Sequence, residues 1–140
     1  MTDRTTLLAL AERCEQAAGP DRELDAEIEA LLTGRVTHPR APGYTLKAQD
    51  VEWKLARLAD SGFISSARRP APPYTASLDA AVTLVPEGWR YDLTNGDLVS
   101  KEKPAARLTP DFAGPCFDGY ARTVPLALCV AALRARAAVA

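Results

Sequence analysis

The amino-acid sequence predicts an α+β fold: a layered α/β/α sandwich in which a mainly antiparallel sheet of three or four strands is flanked by helices. The first observation is that apolar residues recur at helical spacing in at least four segments. The second is the stretch Trp89–Leu93, where apolar and charged residues alternate as in a half-buried strand. The third is Asn95-Gly96, a strong turn signal for a β-hairpin, which closely follows that stretch.

Three helices are predicted in the first half of the chain, at Thr5–Ala18, Arg22–Thr33 and Leu46–Ser61. Asp21 precedes the second helix, where its carboxylate can accept a hydrogen bond from a free backbone N–H. Gly34 follows that helix, at the position where a terminating glycine is common.

The stretch Tyr74–Tyr91 organises the second half of the chain. A proline-rich segment precedes it, and Ser77 or Thr75 is expected to cap a short helix with one apolar face. Pro86 and Gly88 end this helix, and the first strand begins immediately afterwards.

Further strands are predicted at Asp97–Lys101, Ala105–Leu108 and Gly119–Arg122. A final helix is expected to start at Thr123, which can cap it, with Pro125 in the first turn, where proline is tolerated. The sheet and the helices together give the layered arrangement.

Length and composition predict one domain over residues 1–140 that does not enter a membrane. The 17 Lys and Arg nearly balance the 18 Asp and Glu, so the net charge of −1 gives no general attraction to nucleic acid or anionic lipid. The N-terminus lacks the pattern of a signal peptide, and no apolar stretch approaches the length of a membrane span. Three cysteines without close spacing are typical of reduced thiols. We therefore expect a cytoplasmic protein.

Three blocks of sequence resemble the phage ABA-sandwich domain family: Gly19–Leu32, Pro73–Trp89 and Ala121–Ala135. Their order and spacing are similar to those of that family, whose members are small proteins encoded by phages and prophages. The resemblance implies an α/β/α fold, a phage or prophage origin, and a longer inserted segment at about residues 35–69. It implies no catalytic residues.

No catalytic or metal-binding pattern stands out in the sequence. Ser77, His38 and Asp79 could in principle form a nucleophile, base and acid, but Ser77 is better explained as a helix cap and Asp79 as an acid of the first helical turn. The chain has one histidine, no closely spaced cysteine pair and no glycine-rich phosphate loop. We therefore predict no cofactor and no metal.

The best candidates for ligand binding are arginines that flank two proline-rich loops, with tyrosines near them. An arginine fork can hold a phosphate bidentately, and an aromatic ring can stack on a base. The alternative is a solvated loop with scattered charges. The candidate residues are Arg35, Arg40, Arg68, Arg69, Tyr44 and Tyr74.

These observations lead to a functional hypothesis of a phage or prophage accessory protein that binds rather than catalyses. It would counter host defence by sequestering a nucleotide-type immune messenger, with a homodimer formed through an exposed hairpin edge or the last helix. One alternative is an inhibitor of a host defence protein such as a nuclease, or a minor virion or assembly factor. Another is a small hydrolase that uses Asp79 or Glu87 as its base.

Overall fold

A computed structural model describes residues 4–38, 41–47, 68–95, 103–111 and 113–139. The described helices are α1 (Arg4–Gln16), α2 (Arg22–Thr33), α3 (Leu78–Val82) and α4 (Val124–Val139). The described strands are β1 (Val36–Thr37), β2 (Tyr44–Leu46), β3 (Arg69–Pro70), β4 (Trp89–Thr94), β5 (Ala105–Pro110) and β6 (Phe117–Tyr120). The α+β class, with antiparallel sheets flanked by helices, is confirmed.

The chain divides into two compact units. Unit 1 comprises Met1–Asp21 and Pro73–Ala140, and unit 2 comprises Arg22–Pro72. Each unit contains one three-stranded antiparallel sheet among its described residues, in the order β4-β5-β6 in unit 1 and β1-β2-β3 in unit 2.

Helix α4 is the centre of unit 1, because it packs against the sheet, against α1 and against α3. Ten of its sixteen residues are buried, and most of these are alanine or leucine. Small side chains let the sheet approach the helix backbone closely. At Gly119 in β6, an added Cβ atom would lie 2.7 Å from the backbone nitrogen of Ala131.

The sheet of unit 1 has an apolar inner face and a polar outer face. The inner face carries Leu108, which is fully buried against α4 and lies opposite Tyr91 of β4. We call the other face, whose side chains alternate with these, the outer face. Its residues are Arg90, Asp92 and Thr94 of β4, Ala105, Arg107 and Thr109 of β5, and Asp118 and Tyr120 of β6.

Two predicted helix caps in unit 1 are confirmed. The Ser77 hydroxyl accepts a hydrogen bond from Ala80 N–H, and the Thr123 hydroxyl accepts one from Leu126 N–H, each at 3.4 Å. Thr75 does not cap α3: its buried hydroxyl accepts from Asp21 N–H at 2.8 Å and donates to the Asp21 carbonyl at 3.2 Å.

The strand partners in unit 1 refine the sequence prediction. β4 pairs with β5 from Trp89↔Pro110 to Thr94↔Ala105, while the predicted Asp97–Lys101 strand lies outside the described residues. The last strand runs from Phe117 to Tyr120 and not from Gly119 to Arg122. The alternation of apolar and polar residues did not predict the bounds of this strand, because they are set by its pairing with β5.

Unit 2 corrects two sequence predictions. Val36–Thr37 is a strand in a stretch for which the sequence predicted none, and Leu46 ends β2 and does not begin a helix. The cause is tertiary pairing, because Val36 lies opposite Leu46 and Thr37 opposite Thr45, and β-branched residues suit such ladders. The remainder of the predicted Leu46–Ser61 helix lies outside the described residues, apart from Lys47.

Two chemical expectations concern the cysteines and the membrane. All three cysteines are free, with Cys14 and Cys129 buried and Cys116 exposed. Among the described residues, none of the helices combines the length and the hydrophobicity needed to cross a bilayer.

Candidate ligand-binding site

Two of the predicted ligand-binding residues, Arg68 and Tyr44, meet in unit 2. The Arg68 guanidinium lies over the Tyr44 ring, 4.6 Å from its centroid. The register of β2 and β3 explains this contact. Tyr44 lies opposite Pro70, so Arg68, two residues before Pro70, is the diagonal neighbour of Tyr44 on the same face. Arg68 is exposed, so its stacked guanidinium is accessible from solvent.

Arg69 is also exposed, but it lies opposite Thr45 in the register. Because successive side chains of a strand point to opposite faces, Arg69 lies on the other face of this small sheet from Arg68 and Tyr44. The two neighbouring arginines therefore do not act on one ligand group at one face.

Arg35 has a structural role in the same sheet. Its Nε donates to the Thr45 hydroxyl at 2.8 Å, and a terminal nitrogen donates to the Thr45 carbonyl at 3.1 Å. Thr45 is only 1% exposed, so these bonds satisfy polar atoms that water cannot reach. Arg35 thus stabilises β2 beside the Tyr44–Arg68 pair.

The other two predicted residues are Arg40 and Tyr74. Arg40 lies outside the described residues. Tyr74 belongs to unit 1 and is only 6% exposed, and its carbonyl accepts a hydrogen bond from the Cys129 thiol at 3.3 Å. A ring buried to this degree offers no free face for a nucleobase, so the predicted stacking role of Tyr74 is wrong.

Arg22 positions the site, and its role was not predicted from the sequence. One terminal nitrogen pairs with the buried Asp25 at 2.9 Å, and the other donates to the carbonyls of Gly43 at 3.3 Å and Ala71 at 2.8 Å. Gly43 directly precedes β2, which carries Tyr44, and Ala71 directly follows β3, which comes after Arg68. One guanidinium therefore fixes both strands. The signal in the sequence is the i, i+3 spacing of Arg22 and Asp25 at the start of α2.

Gly43 is required by the same arrangement. Its φ of 84° is in the left-handed region that favours glycine, and an added Cβ atom would lie 2.9 Å from the Arg22 Nε. Any other residue here would strain the backbone and displace Arg22.

A second polar surface lies on the outer face of unit 1. Arg107 binds Asp118 bidentately, at 2.7 Å through Nε and 3.2 Å through a terminal nitrogen. This hydrogen-bonded pairing lowers the pKa of the Asp118 carboxyl and raises the pKa of the Arg107 guanidinium. Tyr120, which is 50% exposed, lies beside this pair, and the three line a shallow depression of about 310 Å³ together with Asp92, Thr94 and Ala105.

Two of the residues that could form a catalytic group, Ser77 and His38, have local structural contacts. The Ser77 hydroxyl caps α3, and the Nδ1 atom of His38 accepts a hydrogen bond from Ala41 N–H at 3.0 Å. Asp79 and Glu87 are exposed. Within the described ranges, no group of three or more His, Cys, Asp or Glu side chains could hold a metal ion.

Comparison with known proteins gives no relatives. No family model, no curated protein and no solved structure matches this chain.

Proposed function

We propose that this protein is a non-enzymatic binding protein that sequesters a phosphate-bearing, nucleotide-type ligand, and that Arg68 and Tyr44 hold this ligand. The observation that carries the proposal is the exposed Arg68 guanidinium stacked 4.6 Å from the centroid of the Tyr44 ring. The contact with the ring already restricts the arginine side chain in the free protein, so the side chain loses less conformational entropy when a ligand binds.

The geometry suits a ligand that has both a phosphate and a planar base. The N–H donors of a guanidinium point outward in its own plane, so a ring against one face leaves them able to bind two phosphate oxygens. Its second face can stack on a nucleobase, as arginine planes do in nucleic-acid recognition. Arg22 and Arg35 support this function indirectly, because their bonds hold the strand pair in register.

The biological setting of the proposal is phage counter-defence in the bacterial cytoplasm. It is supported by the sequence blocks that resemble the phage ABA-sandwich family. The structural contacts of Ser77 and His38 favour binding of the messenger over its cleavage. In this setting the protein withdraws a nucleotide immune messenger from its receptor and releases it unchanged.

Isothermal titration calorimetry with cyclic nucleotides and ADP-ribose-type ligands tests the proposal. Arg68→Ala is expected to weaken binding by roughly 1.5–3 kcal/mol, or about 10-fold to 100-fold, because charge-assisted hydrogen bonds are lost. Arg68→Lys keeps the charge but lacks the planar fork, so it is expected to restore binding only in part.

Arg69→Ala is the matched control, since Arg69 is the exposed neighbour on the opposite face. Equal losses from Arg68→Ala and Arg69→Ala would show that only general charge matters. If none of these ligands binds the wild-type protein, the nucleotide proposal fails. Chromatography of the ligand after incubation should return it intact, whereas turnover that disappears in Asp79→Asn or Glu87→Gln would indicate a hydrolase.

A protein partner is the second candidate function, favoured by the outer face of unit 1. Exposed tyrosine beside arginine is typical of residues that dominate protein interfaces, and here Tyr120 lies next to the ordered Arg107–Asp118 pair. Such a partner would be a host defence effector or a phage assembly protein. Affinity capture with wild-type protein and Tyr120→Ala protein tests this candidate, because a specific partner should be lost with Tyr120→Ala.

A further inference from the structure

The outer face of unit 1 carries a row of three charged side chains. Asp92 of β4 lies opposite Arg107 of β5, and Arg107 lies opposite Asp118 of β6. The Arg107 guanidinium donates to both oxygens of the Asp118 carboxylate, at 2.7 Å and 3.2 Å. Among the described residues, the exposed Asp92 carboxylate has neither a hydrogen bond nor an ion pair. The row therefore leaves one negative charge, at Asp92, without a partner in this part of the chain.

The two carboxylates of this row are too far apart to share one cation. Strands β4 and β6 lie on either side of β5, so the Cα atoms of Asp92 and Asp118 are about 10 Å apart. Arg107 stands between them, and its guanidinium is bound to Asp118. A cationic group that approaches this face therefore pairs with Asp92 and has no second carboxylate to bridge.

The surface around Asp92 is concave. The depression of about 310 Å³ is bordered by the charged row and by the adjacent row, in which Ala105 lies between Thr94 and Tyr120. Because the alanine side chain is a single methyl group, it forms a floor between two larger side chains. We call this depression the Ala105 socket. Asp92 also borders a second depression, of about 470 Å³, so the concave surface continues beyond it.

Tyr120 provides an aromatic wall of the Ala105 socket, and it is 50% exposed. A planar cation can stack on such a ring. Unit 2 contains an example, since the Arg68 guanidinium lies 4.6 Å from the centroid of the Tyr44 ring. A guanidinium combines a flat face for the ring with in-plane N–H donors for a carboxylate, whereas a lysine ammonium has no flat face. The socket therefore suits an arginine side chain better than a lysine side chain.

We propose that the Ala105 socket receives an arginine side chain of a partner protein, whose guanidinium pairs with Asp92 and stacks on Tyr120. This inference rests on the second candidate function, in which the outer face of unit 1 binds a protein. It adds the chemistry of that partner, which presents an arginine on its surface. Arginine and tyrosine are among the residues that contribute most to protein interfaces. The bond between Arg107 and Asp118 belongs to the site, because it leaves Asp92 to the partner.

A peptide titration followed by proton–nitrogen correlation NMR tests the socket on the full chain. The probe is an acetylated and amidated Gly-Arg-Gly peptide, which should shift the amide signals of Asp92, Thr94, Ala105 and Tyr120 until saturation. The same peptide with citrulline in place of arginine has nearly the same shape but no charge. Its affinity should be roughly twofold to fivefold lower, as expected for the loss of an exposed ion pair. Equal affinity for both peptides, or no shift in the socket, overturns the proposal.

Two variants separate the charge of the socket from its shape. Asp92→Asn removes the charge, so the arginine peptide should bind as weakly as the citrulline peptide. Ala105→Leu fills the floor and should abolish the saturable shifts while Asp92 keeps its charge. Asp111→Asn is the matched control and should bind as the wild type does, since Asp111 is an exposed acid directly after β5 that does not line the socket. Circular dichroism confirms that each variant is folded, and an Asp92→Asn protein with unchanged affinity for the arginine peptide overturns the proposal.

Affinity capture with the same variants distinguishes this inference from the protein-partner function on which it rests. A partner captured by the wild type should be lost with both Tyr120→Ala and Asp92→Asn, and Asp111→Asn should retain it. A partner lost with Tyr120→Ala but retained by Asp92→Asn leaves the protein-partner function standing and overturns the arginine inference. A partner retained by Tyr120→Ala overturns both, because it does not depend on the outer face.

Discussion

Gly119→Ala is expected to destabilise unit 1, because Gly119 is the point of closest approach between β6 and α4. An added methyl group would lie 2.7 Å from the Ala131 backbone nitrogen and 2.9 Å from the Val130 Cβ atom. Both atoms belong to a fully buried part of α4, which also packs against α1 and α3. The helix therefore cannot retreat from the methyl group without disturbing its packing.

The magnitude follows from two opposing terms. Overpacking a dense core costs about 1–3 kcal/mol, and contacts under 3 Å to backbone lie at the upper end of this range. Replacing glycine by alanine also restricts the unfolded chain, which contributes roughly 0.4–1 kcal/mol in the stabilising direction. We therefore expect the free energy of unfolding to fall by about 1–2.5 kcal/mol.

Urea denaturation followed by circular dichroism measures this change, with Gly19→Ala as the matched control. Gly19 is in the same unit, its φ lies outside the left-handed region, and an added Cβ atom would meet no atom within 4 Å. Gly19→Ala should leave stability unchanged or raise it by up to about 1 kcal/mol. If both variants have the same midpoint and slope as the wild type, β6 and α4 are not packed as described.

Two further predictions test unit 2 and the outer face of unit 1. Arg22→Ala should lower the free energy of unfolding by roughly 1–3 kcal/mol, because Asp25 and the carbonyls of Gly43 and Ala71 lose a hydrogen-bond donor. Urea denaturation measures this loss, and Arg22→Lys should recover part of it. An Arg22→Lys variant as stable as the wild type would contradict a role for the guanidinium fork. The hydrogen bond with Arg107 lowers the pKa of the Asp118 carboxyl in the folded protein below its ordinary value of 3.8. The ionised Asp118 therefore contributes its full stabilisation above pH 3.8, and this contribution disappears as the pH falls through the lowered pKa. The difference in urea midpoint between wild type and Asp118→Asn should thus be constant near neutral pH and shrink below about pH 3.8, and a difference independent of pH would refute the pairing.

Local chemistry was sufficient to predict helix α2 and two of the helix caps. Helix α2 occupies its predicted range, and Ser77 and Thr123 cap as expected, because a cap involves residues only two or three positions apart. Helix α3 is shorter than its apolar pattern suggested. Thr83, still in an α-helical conformation, caps it one residue after Val82.

Features that depend on distant residues were not predictable in the same way. The strands of unit 2 contain two or three residues each, and their alternation is too brief to read before the partner is known. The Arg107–Asp118 pair likewise joins residues of different strands, and only the register places them opposite each other.

The sequence offered a set of candidate residues but not their geometry. Arg68 and Tyr44 were both in this set, but the contact between them follows from the register of β2 and β3, whereas Arg69 lies on the other face and Tyr74 is buried. Strand parity and burial decide these outcomes, and neither is fixed by closeness in sequence. Arg22 was missed because two of its acceptors, the carbonyls of Gly43 and Ala71, lie 21 and 49 residues away.

The central claim is that the protein retains a nucleotide-type ligand at Arg68 and Tyr44. Native mass spectrometry tests it most directly. Wild-type protein and a double variant, Arg68→Ala with Tyr44→Leu, are purified in parallel from bacteria with active nucleotide-signalling defence. We predict that the wild-type subunit carries an additional nucleotide-sized mass that the variant lacks. A bare wild-type subunit, or an additional mass retained equally by the variant, would contradict the proposal.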